Sequence, residues 1–181
     1  MAKQISYMGL VILLMQAFFV SCSGSDQKTK TVDQAGLQQK IAQTEQYIML
    51  DNGTIIVDSA LKLIEYYQSY QQNWPDDSLS AEYLFKAIDI SINLPRAKES
   101  LQLISTYLEN YSGTYYAGVA LFLEGFIYDQ QIGDTVRAHL SYERLIKEYP
   151  DHSFADDAHS ALQFLGKSPE EMILEFEQKN Q

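Results

Sequence analysis

Apolar residues along most of the chain recur three and four positions apart, which is the spacing of one face of an α-helix. Leu37, Ile41 and Ile48 form one such stripe, and a second helix is predicted from about Ile55 to Asn73. The same spacing predicts further helices over 78–92, 95–111, 115–131, 135–149, 154–165 and 169–179. Strand-like alternation competes little with this pattern. The chain is therefore predicted to be all-α.

Turn and capping residues separate these helices. Residues 51–54 read Asp-Asn-Gly-Thr, a turn in which Thr54 is a candidate cap. Asp134 follows Gly133 and is placed to cap the next helix, and the run Ser-Pro-Glu-Glu at 168–171 combines a capping box with proline at the first helical position. Connections this short favour antiparallel neighbours, so we expect a series of helical hairpins.

Aromatic residues close three of the predicted helices at a regular interval. Trp74, Tyr111 and Tyr149 are separated by 37 and 38 residues. Pro150 ends the third of these helices, because proline fixes its own backbone and restricts the residue before it. Ser153 is then predicted to cap the following helix. A period of this length is typical of helical repeats.

One of these units resembles a tetratricopeptide repeat. The segment 117–150 carries Gly125 and Tyr128 on a first helix, Ala138 and Tyr142 on a second, and the closing Pro150. It has one residue more than the usual repeat between Gly125 and Ala138, which the turn is expected to absorb. The resemblance covers about 150 residues, with the other units more degenerate. It implies antiparallel hairpins stacked as a tetratricopeptide-like α-solenoid, about four in number, with the last as a C-terminal cap.

The resemblance also implies a concave groove lined by the first helix of each hairpin. Counted from Gly125, its positions are Glu82, Phe85, Asp89, Ile92, Val119, Phe122, Phe126, Asp129, Asp157, Ser160, Phe164 and Lys167. The aromatic residues would anchor an amphipathic peptide or helix of a partner protein, and the acidic residues would favour a basic flank. The alternative is that these rings pack between hairpins. Glu124, within an apolar run, is either a partner contact or a hydrogen-bonded carboxylate.

The charge balance excludes some partners. The chain has 24 acidic and 13 basic side chains, a formal net charge of -11. Nucleic acid is not expected as a partner, because a phosphate backbone requires a basic face. The same charge argues against an anionic membrane held by electrostatics alone.

The N-terminus predicts export and lipid attachment. Residues 1–21 contain an apolar run from about Tyr7 to Val20, close to the length of a secretory signal and short for a membrane span. Cys22, the only cysteine, follows Ser21 in a pattern that resembles the bacterial lipobox, with Phe19 in place of the usual leucine. A plain cleaved signal or an uncleaved anchor are the alternatives. Residues 22–31 are predicted to be a flexible tether, and 32–181 the repeat domain.

An enzyme is not predicted, nor a cofactor or a metal. The sequence contains no G-x-S-x-G turn, no glycine-rich phosphate loop and no H-E-x-x-H pair. Among the three histidines, His152 and His159 lie near Asp156 and Asp157, but their spacing spans a proline corner, which favours surface residues over metal ligands.

These observations together predict a membrane-anchored scaffold or adaptor that binds a protein or peptide in its groove. In plan it is similar to the tetratricopeptide lipoproteins of the outer-membrane β-barrel assembly machine. That similarity implies a role in the assembly of an envelope complex, at the outer membrane and facing the periplasm. The alternative is a lipoprotein that binds carbohydrate or a small ligand, with an enzyme as a more remote one.

Overall fold

The computed structural model of the protein describes residues 32–50 and 53–179, and these are built from α-helices. The helices are α1 (Gln34–Glu45), α2 (Val57–Asn73), α3 (Ser78–Ser91), α4 (Ala97–Tyr111), α5 (Tyr115–Phe126), α6 (Thr135–Glu148), α7 (Ala155–Phe164) and α8 (Pro169–Lys179). A π-helical segment, Ile127–Ile132, continues α5. The only β pairing in those ranges is an isolated antiparallel bridge between Met49 and Ile55. The all-α prediction is confirmed.

The predicted signal peptide (1–21), the lipidation residue Cys22 and the tether (22–31) lie outside the described residues.

Helices that follow one another in the chain pack against one another in space. Each helix from α1 to α6 contacts its successor, and α3 also contacts α5 across the intervening helix. The π-helical segment contacts α4 and α6. Since each contact joins elements that are close in sequence, the described chain can bury its core progressively from α1 to α7.

Tyrosine rings fill much of the core. The largest fully buried side chains include Tyr67 and Tyr107, and Tyr142 is only 2% exposed. Two of these hydroxyls have hydrogen-bond partners at the edge of the core: Tyr67 donates to Glu45 Oε1 at 2.5 Å, and the Tyr107 hydroxyl pairs with that of Thr114 at 2.8 Å. The ring is thus desolvated while the hydroxyl stays hydrogen-bonded, which is why tyrosine suits these positions.

Tyr142 packs on a glycine of the preceding helix. A Cβ atom placed on Gly125 would lie 2.5 Å from Tyr142 Cε1 and 2.7 Å from its Cδ1. Both residues are buried. This contact sets the separation of α5 and α6, because any side chain at Gly125 would displace the buried ring. A small residue on α5 therefore faces a large one on α6.

Trp74, Tyr111 and Tyr149 each follow or end a helix, and we call them the aromatic corners. The same kind of hydrogen bond is made by two of them. The Tyr111 hydroxyl donates to the carbonyl oxygen of Pro75 at 2.9 Å, and the Tyr149 hydroxyl donates to that of Ser112 at 2.7 Å. Each acceptor is the residue directly after the preceding aromatic corner, Trp74 or Tyr111. We call this repeated contact the corner hydrogen bond. The regular interval in the sequence therefore corresponds to a repeated contact in the structure.

Two predicted caps are confirmed. The Asp134 carboxylate accepts from the Arg137 backbone N–H at 2.9 Å. At the start of α8, the Ser168 N–H donates to Glu171 Oε2 at 2.7 Å and the Glu171 N–H donates to Ser168 Oγ at 3.2 Å, a reciprocal capping box.

Three other local predictions are wrong. Ser153 does not cap α7, because its hydroxyl pairs with that of Tyr115 at 2.7 Å and the N-cap residue is Phe154. Thr54 does not cap α2, which begins after Ile56. Ile48 lies beyond the end of α1, in the segment that leads to the Met49–Ile55 bridge. In each case a tertiary contact or a backbone pairing competes with the local signal.

We predict that Gly125→Leu lowers the free energy of unfolding by about 1–3 kcal/mol, because the added side chain must displace the Tyr142 ring from a filled core. Chemical denaturation with circular dichroism measures this value. The matched control is Gly113→Leu, since a Cβ atom at Gly113 meets nothing within 4 Å. Equal stability of the two variants would show that the Gly125–Tyr142 contact does not set the helix separation.

Candidate functional site

Five of the twelve predicted groove residues line one open trough. Phe122, Phe126, Asp129, Phe164 and Lys167 surround a volume of about 580 Å³. The same trough is lined by Gln130, Tyr142, Ala161, Gly166, Ser168 and Met172. We call it the aromatic trough.

Helix α5 and its π-helical continuation build one side of the aromatic trough. Phe122 and Phe126 are four residues apart on α5 and so share a face. The next turn, Ile127–Ile132, is π-helical and carries Asp129. A π-helical turn accommodates one additional residue, and such turns occur frequently at functional sites.

The turn that follows the π-helical segment is tight. Gly133 adopts a left-handed conformation with φ of 76°, and the Asp134 N–H donates to the Tyr128 carbonyl oxygen at 2.8 Å. A turn was expected to absorb the one residue by which this unit exceeds the tetratricopeptide pattern that it resembles. Within these residues, it is the π-helical segment, beside the trough, that accommodates an additional residue.

The two phenylalanines of α5 differ in how much of each is available to a partner. Phe122 is half-buried and contacts the rings of Phe154 and Tyr142, with centroids 4.9 and 5.6 Å apart. Phe126 remains 41% exposed. Phe122 thus serves packing and lines the trough at the same time, whereas Phe126 is the ring more open to a partner.

Charged groups lie at both ends of the aromatic residues. The half-buried Asp129 accepts a hydrogen bond from the Gln130 side chain at 2.6 Å. The Lys167 ammonium lies 5.7 Å from the Phe164 ring centroid. Burial, and then the negative charge of Asp129, raise the pKa of the Tyr142 hydroxyl to about 12.

Glu124 is a hydrogen-bonded carboxylate. It is half-buried and accepts from the Ser141 hydroxyl at 2.9 Å, which joins α5 to α6. Of the two roles weighed for this residue, the structure shows this one.

The remaining predicted groove residues lie outside the aromatic trough. Phe85 stacks on Tyr116 with centroids 4.3 Å apart, so the alternative of packing between hairpins holds for this ring. Glu82 is exposed and pairs with Lys86 at 3.0 Å. Asp89, Asp157 and Ser160 are exposed, whereas Val119 and Ile92 are half-buried. Counting positions from Gly125 in each repeat therefore predicts the residues around α5 better than it predicts a continuous groove along the chain.

Phe85 and Phe122 are nevertheless equivalent in their surroundings. Phe85 contacts Tyr116, and Phe122 contacts Phe154, each an aromatic residue near the start of a following helix. Both belong to the partly buried shell around the core. This equivalence supports the repeat register that relates the two positions.

Six trough residues are not among the predicted groove positions: Gln130, Tyr142, Ala161, Gly166, Ser168 and Met172. Tyr142 was predicted only as part of the repeat pattern, although its ring also forms part of the trough. Met172 comes from α8, which was expected to serve only as the end of the array. The apolar run 172–174 directly after a capping box was a signal that this helix has a face to bury.

The described residues contain no cluster of three potential metal-ligating side chains. His152 is held by two hydrogen bonds, since Nε2 lies 3.1 Å from the Tyr115 carbonyl oxygen and Nδ1 accepts from the Phe154 N–H at 3.1 Å. Within the same ranges, no helix has both the length and the apolar character needed to span a bilayer.

Comparison with known proteins returned no relative: neither a family model, a curated protein nor a solved structure matches the chain. The function must therefore be argued from the geometry of the chain itself.

We predict that Tyr142→Phe reduces the loss of stability at alkaline pH. The folded-state pKa near 12 exceeds the ordinary value of 10.0, so the neutral hydroxyl stabilises the fold below pH 10 and this contribution is lost as pH rises to about 12. The loss amounts to roughly 2–3 kcal/mol for this group. Denaturation curves at pH 9 and 11.5 measure it, in this variant and in the unmodified chain. Equal losses in the two proteins would contradict the assignment.

Proposed function

We propose that the chain is a tetratricopeptide-like α-solenoid that acts as a scaffold or adaptor, holding a segment of a partner protein in the aromatic trough. The solenoid is supported by the packing of α1 to α7 in chain order and by the contact between α3 and α5. The corner hydrogen bond, made by Tyr111 and again by Tyr149, supports a repeating unit.

One observation carries the binding role. Phe126, a large aromatic residue, keeps 41% of its surface exposed in a trough that Phe122 and Phe164 also line. Aromatic residues beside a concave apolar surface are the usual anchors of protein interfaces. An amphipathic helix or an apolar peptide segment fits such a trough, because it can bury its own apolar face there.

The charge around the trough favours a basic partner. Residues 115–181 contain twelve aspartates and glutamates against five lysines and arginines. Asp129 lies within the trough itself, and Glu170 and Glu171 are exposed at the start of α8. A partner segment with lysine or arginine beside its apolar face would be steered toward this region and oriented in it.

Attachment to a membrane is the second part of the proposal. It is supported by the apolar run before Cys22 and by the position of that cysteine. Several acyl chains on one residue hold a protein stably, where one chain holds it marginally. The scaffold would then act in the cell envelope, at the outer membrane and facing the periplasm, in the assembly of an envelope complex.

A carbohydrate or small-ligand site is the alternative function. An enclosed pocket would favour it, because such pockets bury most of a small ligand. The exposure of Phe126 instead leaves the trough open along one side. The open shape is better suited to a polypeptide segment that continues beyond both ends of the trough.

We predict that Phe126→Ala reduces capture of the partner at least tenfold with little change in stability, because this ring is exposed and lines the trough. The measurement is gentle detergent solubilisation of the tagged full-length chain from its native cells, followed by quantification of co-purifying proteins. Phe122→Ala should reduce both capture and stability, since Phe122 also contacts the core.

The matched control for this experiment is Val136→Ala. Val136 is an apolar residue that is 70% exposed on α6 and is not among the residues that line the aromatic trough. Equal capture by the Phe126 and Val136 variants would rule out the aromatic trough as the binding site. If the unmodified chain captures nothing, a glycan screen becomes the test of the alternative function.

We predict that Cys22→Ser moves the protein from the membrane fraction to the soluble fraction, because the serine hydroxyl does not replace the thiol in lipid attachment. Fractionation of cells that express each form, followed by immunoblotting, measures the distribution. Unchanged retention in the membrane fraction would show that a lipid on Cys22 is not the anchor.

A further inference from the structure

Two apolar side chains of the last helix, α8, are largely exposed. Among the residues of α8 whose side chains the structure describes, none belongs to the buried core or to the partly buried shell around that core. Ile173 and Leu174 are 58% and 56% exposed. Met172 is half-buried and lines the aromatic trough. The helix therefore lies beside the trough with apolar surface that the rest of the described chain does not cover.

α8 begins as an independent unit. Its first turn is fixed by the reciprocal hydrogen bonds of Ser168 and Glu171, and the Met172 N–H donates to the Ser168 carbonyl oxygen at 3.0 Å. These contacts are all local, so the helix start does not depend on contacts with α1 to α7. A helix of this kind can change its orientation while its first turn stays intact.

The connection between α7 and α8 is short and contains a glycine. It consists of residues 165–168, and within it Gly166 adopts a left-handed conformation with φ of 74°. A Cβ atom on Gly166 would meet only Thr135 Cγ2, at 3.7 Å, so the surroundings are open. Small residues in short open connections commonly absorb the backbone rotation of a moving element.

We propose that α8 is a hinged wall of the aromatic trough, which turns about Gly166 and closes on a bound segment so that Met172 and Ile173 contact it. This inference depends on the proposed binding role of the trough. Closure covers apolar surface of α8 and of the bound segment together, which stabilises the closed state only when the trough is occupied. The free chain keeps the wall open.

Helix geometry decides which side chains take part. Successive residues of an α-helix are about 100° apart around its axis. Ile173 is therefore adjacent to the side of Met172, which already faces the trough, whereas Leu174 is about 200° away on the other side of the helix. Ile173 and Leu174 are almost equally exposed but lie on different sides of the helix. Each residue is therefore a matched control for the other.

The binding test uses a fluorescein-labelled synthetic amphipathic helix of lysine and leucine as the probe. The protein is the full-length chain, and the titration is followed by fluorescence anisotropy. Ile173→Ser is expected to weaken binding about tenfold, the effect of losing one buried aliphatic side chain, whereas Leu174→Ser changes it less than twofold. Equal effects of the two substitutions, or none from Ile173→Ser, would overturn the closure.

A distance measurement tests the hinge separately from the binding role. Spin labels are placed at Glu143→Cys on α6 and Gln178→Cys on α8, in a chain that carries Cys22→Ser. Pulsed electron resonance should give a broad distribution in the free protein that narrows when the probe helix is added. The pair Glu143→Cys and Gln163→Cys, on α6 and α7, should stay narrow throughout.

The two measurements separate the possible failures. A single narrow α6–α8 distribution in the free protein overturns the hinge whether or not the probe binds. Failure of the probe to bind the unmodified chain counts against the proposed binding role, and a broad free-state distribution then still supports the hinge.

Discussion

The close approach of α5 and α6 is the contact on which the rest of this fold depends. Two helices can come this near only where one of them lacks a side chain, and Gly125 provides that position for the Tyr142 ring. The ring then fills the space between the helices on one side and forms part of the aromatic trough on the other. Tyr142 thus belongs both to the core and to the lining of the trough. The shape of the trough therefore depends on how the helices beneath it pack.

The trough itself results from a departure from regular helix geometry. The π-helical segment Ile127–Ile132 accommodates one residue more than a regular helical turn, so Asp129 comes beside the exposed Phe126 while Gly133 still forms a tight turn. A regular α-helix over the same residues would present a different residue at that place. The site places aromatic rings next to a carboxylate, and this arrangement therefore depends on the π-helical segment.

Most of the described fold could be predicted from the sequence because its signals are local. Helix periodicity and the caps at Asp134 and Ser168 depend on residues only a few positions apart. The aromatic corners recur at an interval of 37 and 38 residues that can be read directly from the sequence. The Ser153 cap failed because Tyr115, far away in sequence, takes its hydroxyl. The groove was predicted in part: positions counted from Gly125 include Phe122, Phe126, Asp129, Phe164 and Lys167, which line the trough. They do not include Met172, since the placement of α8 depends on the connection 165–168 and not on the repeat.

The corner hydrogen bonds have a mechanical consequence. Tyr111 and Tyr149 each fasten one corner to the residue that follows the corner before it, so the three corners are linked in turn by short polar contacts. A pulling force applied between α2 and α6 would be carried by these bonds one after another. Because hydrogen bonds tolerate little extension and apolar contacts can slide, the bonded corners would resist stretching while other contacts between these helices yield. Under tension the helices would tilt toward the bonded corners before they separated.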